Sequence, residues 1–193
     1  MTDLFYDLEF LEDGRTIELI SIGMVCDDGR EYYAVNAALA ARWGKGRRLR
    51  RRVQKHAWLM ENVVPHLPKP HGDWNVHMPQ SWLFNYHDPA VKPREKIADE
   101  VMDFIRAAGP DVQLWANYGA YDHVCLAQLW GRMIALPEGV PMFTCDIQQE
   151  RARLGLRWDE LPKQEGGEHN ALADARHNQL VRRWLAEQEA RTP

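Results

Sequence analysis

FYDLEFLEDGRTIELISIGMVCDDGREYYAVN, residues 5–36, decides the fold class. Three runs rich in β-branched and aromatic residues occupy 4–10, 16–26 and 31–36. Asp13-Gly14 and Asp28-Gly29 stand between them, and an Asp-Gly pair between apolar runs is a strong hairpin signal. The stretch therefore predicts a three-stranded antiparallel meander. Asp7 and Glu9 interrupt its first run. Side chains alternate across a strand, so these two carboxylates share a face. Neighbouring carboxylates raise each other's pKa, so holding both near a core calls for a compensating charge, which a divalent cation supplies most simply. The plainer alternative is a one-sided strand whose acids face water.

Downstream, RWGKGRRLRRRVQK (42–55) holds eight of the 24 basic residues and no acid, in a chain whose net charge is −4. A basic segment on an acidic body points to a polyanionic partner, against the simpler reading of a solvated helix face. Its helical pattern continues to about residue 64, where Pro65, Pro68 and Pro70 stop it. Residues 65–93 read as a long loop, and a loop of that length in a compact domain often carries function. Pro93 opens a helix with Ile97, Val101, Phe104, Ile105 and Ala108 on one stripe, closed by Gly109-Pro110. A strand follows at 112–118, then a helix at 121–134, a short strand at 141–147 and a final helix at 171–189. A meander followed by alternating helices and strands implies a mixed α/β sheet flanked by helices.

The length of 193 residues suits one domain, 1–193, with a substantial core. No apolar run is long enough to cross a bilayer and the N-terminus has no basic or apolar signal region, so no membrane partner and a cytoplasmic address are expected. Cys26, Cys125 and Cys145 are widely spaced without a CxxC pair. They signal neither a disulfide framework nor a cysteine zinc site and read as buried thiols.

Two further segments carry chemistry. NYGAYDH (117–123) places Asn117 at a strand end and Asp122 in the first turn of a helix; HNALAD (169–174) places His169 ahead of the last helix and Asp174 inside it. Strand ends and helix starts are where α/β sheets gather site residues. Taken singly, Asp122 reads as a helix N-terminal charge, Asp174 as a surface acid and His169 as a loop histidine.

Together these residues resemble the DEDD family of 3′-5′ exonucleases. Asp7-Leu8-Glu9 matches its first motif, Asn117, Tyr121 and Asp122 its second, and His169 with Asp174 its third. Asn170 stands where the tyrosine branch places its tyrosine, so the histidine-bearing DEDDh branch fits better. Within the family, FYDLEFLEDGRTIELISIG, DGREYYAV, GAYDHVCLAQLWG and ALPEGVPMFT are similar to polyadenylate-specific 3′-exoribonucleases of the actinobacterial type.

The resemblance implies a ribonuclease-H-like fold, RNA 3′ ends such as poly(A) as substrate, nucleoside 5′-monophosphates as product, and a homodimer. Four carboxylates without cysteine ligands suit Mg²⁺, with Mn²⁺ as substitute. In the family's two-ion scheme Asp7 bridges the ions, Glu9 and Asp174 complete the first, and Asp122 acts through bound water. His169 is placed to take the proton of the attacking water. Leu8 and Phe10 hold the terminal nucleotide, with plain core packing as the alternative for Phe10. The basic segment, through Arg47, Arg48, Arg50, Arg51 and Arg52, is expected to track the RNA backbone.

Trp74, Trp82 and Trp158, in irregular stretches, are candidates to stack on bases. Trp115, Trp130 and Trp184 read as core or interface, and His123 as a helix-surface residue. A DNA or short-oligonucleotide exonuclease shares the same catalytic residues. A non-catalytic RNA-binding module has no need of convergent acids that repel phosphate.

Overall fold

A computed structural model describes residues 1–41, 43–69, 82 and 84–191 of the chain. The opening run forms β1 (Thr2–Glu12), β2 (Ile17–Cys26) and β3 (Glu31–Asn36), the antiparallel meander read from the Asp-Gly turns. β1 also pairs in parallel with β5 (Val112–Ala116), from Thr2 opposite Val112 to Phe5 opposite Trp115. Two-residue strands β4 (Val91–Lys92) and β6 (Cys145–Asp146) add parallel partners to β3 and β5. The sheet order is β4-β3-β2-β1-β5-β6. This mixed sheet, a meander joined to parallel strands and covered by helices, is the expected fold class.

β1 lies inside the sheet, and alternation gives its two faces different partners. On one face Leu4, Tyr6 and Leu8 pack with Ile97, Val101 and Ile105 of α3 (Arg94–Ala107) and Leu126 of α4 (Ala120–Ala127). On the other, Phe5 packs with Ile147 of α5 (Ile147–Arg153) and with Ala175, Val181 and Leu185 of α6 (Ala171–Arg191). Further along that second face Leu11 joins a separate cluster with Leu49 and Val53 of α1 (Gly44–Lys55) and Leu59 of α2 (Ala57–Asn62). Each fully buried side chain of this size stabilises by about 1.5–3 kcal/mol. Asp7 and Glu9 fall between Phe5 and Leu11, at the seam between two apolar clusters. A strand buried at both ends can thus carry two acids in its middle.

Helix α6 approaches that seam closely because Gly23, paired opposite Asp7, has no side chain. A Cβ at Gly23 would stand 2.3 Å from the backbone carbon of Ala171, at the first turn of α6. Gly23→Ala therefore costs about 1–3 kcal/mol by overpacking, and it displaces the turn that carries Asp174. Chemical denaturation and a hydrolysis assay check this together; wild-type stability in the variant would show that α6 is not held against β2 as described.

Three boundaries differ from the sequence reading by more than two residues. The helix expected over 121–134 ends at Ala127 and passes through a 3-10 turn, Gln128–Trp130, because Gly131 adopts a left-handed φ of 93° that no helix continues. The strand expected over 141–147 is only two residues long, since the Asp146 side chain accepts the N–H groups of Gln148 and Gln149 and starts α5. The basic helix does not run to residue 64: it ends at Lys55, and His56 Nδ1 accepts the Leu59 N–H to begin α2. Pro65 then sits in a 3-10 turn, Val64–His66. Residues 70–81 and 83 of the expected loop, with Trp74, and Arg42 of the basic segment lie outside the described residues.

His123, expected on the helix surface, is partly buried, with Nδ1 3.3 Å from the Tyr6 hydroxyl. Cys26 and Cys125 are buried, whereas Cys145 is partly exposed. No described helix is long and apolar enough to cross a membrane.

Candidate active site

Asp7, Glu9 and Asp174 converge so that one carboxylate oxygen from each lies within 4.8 Å of the others. They open onto a cleft of about 680 Å³ that Asn117, Asp122 and His169 also border. The pairing register shifts between Glu9 and Phe10, where β2 carries the extra residue, Ile20, and Phe10 also lines the cleft. Asp122 sits behind the group: its Oδ1 accepts the Leu8 N–H at 2.8 Å, which ties α4 to β1. α4 is itself anchored, since Asp146 Oδ2 accepts the Gly119 N–H at 2.7 Å at its start.

The electrostatics of the cluster are unfavourable on their own. Burial, then the charges of Asp122, Asp174 and Glu9, holds the Asp7 carboxyl well above the usual carboxylate range. Burial followed by Asp174 and Asp122 pushes Glu9 up to about 8. Burial also raises Asp122 to about 6, against the hydrogen bond from Leu8, and it raises Asp174 as well. Among the described residues no lysine or arginine is ion-paired with these four acids; the nearest cationic candidate is His169, whose Nδ1 lies 4.0 Å from Glu9 Oε1. Convergent oxygen donors that repel one another and lack a protein cation fit a hard divalent metal ion.

The third motif is built around the start of α6. The Asn170 side chain accepts the Ala173 N–H at 3.1 Å and caps the helix. Asp174 Oδ2 accepts the His169 N–H at 2.9 Å, and Asp174 Oδ1 accepts from Gln164 Nε2 at 2.7 Å. His169 holds a left-handed φ of 64°, an uncommon conformation for a residue with a side chain. Trp58 of α2 meets its imidazole edge-on, with ring centroids 4.9 Å apart. Backbone strain, one hydrogen bond and one ring contact thus aim His169 into the cleft.

Other expected site residues are distributed unevenly. Leu8 is buried, and Phe10 is partly buried and stacked on Tyr121 at 6.4 Å. Asn117 accepts from Gln148 Nε2 at 2.8 Å. Among the described residues of α1, none borders the cleft. Arg52 is ion-paired with Glu18 at 2.5 Å and Asp13 at 2.7 Å, and Arg50 lies over the rings of Trp82 and Tyr86. Arg47 approaches Trp43, while Arg48 and Arg51 are exposed. Trp158 is exposed at the cleft, but Trp82 packs on Phe84. Trp115 is buried, and Trp130 and Trp184 pack against the core as expected. Gln164, Trp58 and Asp146 were missed because they lie in short or irregular segments, and their roles arise from partners distant in sequence.

A family profile, the 3′-5′ exoribonuclease Rv2179c-like domain, matches residues 2–185. The chain belongs to this family. Two relatives from Mycobacterium tuberculosis, the 3′-5′ exoribonucleases MT2234.1 (strain CDC 1551 / Oshkosh) and Rv2179c (strain ATCC 25618 / H37Rv), are each 40% identical over 173 residues. The alignments cover 89% of this chain and 86% of each relative. Among solved structures, the Mg²⁺- and Mn²⁺-bound form of S. pombe Pop2p aligns over 97% of this chain and 82% of its own, with 11% identity and a TM-score of 0.44. Every residue described at the cleft falls inside the segment that matches the Rv2179c-like family.

Proposed function

We propose that this Rv2179c-like domain is a divalent-cation-dependent 3′-5′ exoribonuclease of the histidine-bearing DEDD branch, trimming adenosine-rich RNA 3′ ends to nucleoside 5′-monophosphates. The observation that carries the reading is the meeting of Asp7, Glu9 and Asp174 with His169 in one cleft. The three acids would hold the metal, with Asp122 behind them. When bound, a pair of Mg²⁺ or Mn²⁺ ions supplies charge that stabilises the attacked phosphate and the departing 3′ oxygen.

The chain's own groups do the rest. His169, fixed by Asp174 and Trp58, accepts the proton of the attacking water as the new P–O bond forms and the bond to the 3′ oxygen breaks. Phe10, backed by Tyr121, offers an apolar surface to the terminal nucleotide. In a homodimer, the exposed Met133 and Ile134 would supply apolar contact area.

A gel time course on 5′-labelled oligo(A), oligo(U) and oligo(dA) with Mg²⁺ or Mn²⁺ tests the proposal. A ladder that shortens from the 3′ end, fastest on oligo(A), is expected. Faster cleavage of oligo(dA) would reassign the enzyme to DNA, and equal rates on oligo(A) and oligo(U) would remove the adenosine preference.

A further inference from the structure

The basic helix α1 does not reach the cleft, yet it is built against its own electrostatic interest. Its sequence GKGRRLRRRVQK has seven Lys or Arg residues and no acid, and its first turn contains no negative charge to complement the helix dipole. Arg47 and Arg51, Arg48 and Arg52, and Arg51 and Lys55 are like-charge pairs four residues apart, an arrangement that destabilises a helix. Arg52 is relieved by Glu18 and Asp13. Arg50 is occupied by Trp82 and Tyr86. Arg48, Arg51 and Lys55 are exposed and, among the described residues, have no acidic partner. Their spacing of three and four residues puts them on one helix face.

This face is joined to the catalytic loop by a short path. His56 is the only residue between α1 and α2. Two contacts seat α2 and the turn after it against the loop that carries His169: the Trp58 ring on the imidazole, and Asn170 Nδ2 donating to the His66 carbonyl at 3.3 Å. Trp58 nonetheless leaves 48% of its surface exposed. Lys55 is three residues before it, so their Cα atoms are within about 11 Å of each other.

We infer that Trp58 and the Arg48–Arg51–Lys55 face of α1 form an upstream RNA subsite, reached by the chain behind the 3′ terminus as it leaves the cleft. The inference rests on the exoribonuclease reading and assigns different work to neighbouring arginines. Arg48, Arg51 and Lys55 bind phosphates, Arg50 and Arg52 hold α1 to the body, and Trp58 stacks on a base upstream of the two terminal nucleotides while supporting His169.

Substrate length tests it. Steady-state hydrolysis of a diadenylate and of a long oligo(A) is compared for wild type, the double variant Arg48→Glu/Arg51→Glu, Trp58→Ala and Trp58→Phe. Circular dichroism melting verifies that each is folded. For the double variant, kcat/KM on the long substrate falls about tenfold or more through KM, and the logarithmic salt slope shrinks by about 1.4, or 0.7 for each lost single-strand phosphate contact. Diadenylate turnover is unchanged, because neither arginine borders the cleft.

Trp58→Ala lowers kcat/KM on the long substrate about fivefold or more beyond its effect on diadenylate, and Trp58→Phe recovers most of that difference. Equal losses on both substrates, or none on the long one, would overturn the subsite. A wild-type protein inactive on every RNA with either metal would overturn the underlying exoribonuclease reading instead.

Discussion

Asp7→Asn lowers phosphodiester hydrolysis by about 10³-fold or more and, in the metal-free protein near pH 8, raises the melting temperature. Both effects have one cause. Asp7 belongs to an acid cluster in which burial raises the pKa of every member and neighbouring carboxylates add to the rise at Asp7, Glu9 and Asp122, bringing Glu9 to about 8 and Asp122 to about 6. An acid whose folded pKa lies above its unfolded value binds more protons in the folded state, so stability falls as pH rises between the two values. For Glu9 that window runs from 4.5 to about 8, and the metal-free wild type loses stability across it.

Replacing Asp7 with a neutral isostere removes one buried acid of raised pKa and flattens the profile. A divalent cation does the same for the wild type, by binding the folded state alone, and it does so far less for the variant, which lacks one of the three converging oxygen donors. Differential scanning fluorimetry of both proteins across this pH range, with EDTA and with Mn²⁺, reads the whole pattern. Parallel pH profiles in the two proteins, or full activity in the variant, would mean that the cluster is not the metal site.

His169→Asn lowers kcat by about 10²–10⁴-fold, the usual contribution of a general base, while Mn²⁺ binding measured by calorimetry persists. Asparagine is chosen because it tolerates the left-handed φ of 64° that this position requires. The backbone N–H of residue 169 still donates to Asp174, so the acid cluster keeps its geometry. The change then removes a proton acceptor and an edge contact with Trp58, and little else. If Mn²⁺ binding and hydrolysis fell together, His169 would be a support for Asp174 and the proton acceptor would have to be sought elsewhere.

Much of this molecule could be read in one dimension. The meander follows from alternating apolar residues and Asp-Gly turns, local signals that need no partner to interpret. The Asp7-x-Glu9 pair, the Asn117 to Asp122 spacing and the His169 to Asp174 spacing, taken together as the pattern that resembles the DEDD exonucleases, name residues that border the cleft: the first interrupts an apolar strand in its middle, and the other two sit at a strand end or helix start. The elements that were misjudged are those whose ends depend on a single side chain: Asp146 capping α5, His56 capping α2, Gly131 closing the turn after α4. Propensity averaged over a window cannot see such an interaction.

The sequence by itself determined the α/β class, the order of the elements and the identity of the acids and the histidine, since alternation, turn chemistry and motif spacing are properties of neighbours along the chain. Only the tertiary structure decided which groups meet. It set Asp122 behind β1 on the Leu8 amide, brought Trp58 and Gln164 to the His169–Asp174 segment, and separated the ion-paired Arg52 from the exposed Arg48 and Arg51. Those outcomes depend on close approach between distant segments, as where Gly23 lets α6 rest on β2, and packing of that kind leaves no periodic trace in the sequence.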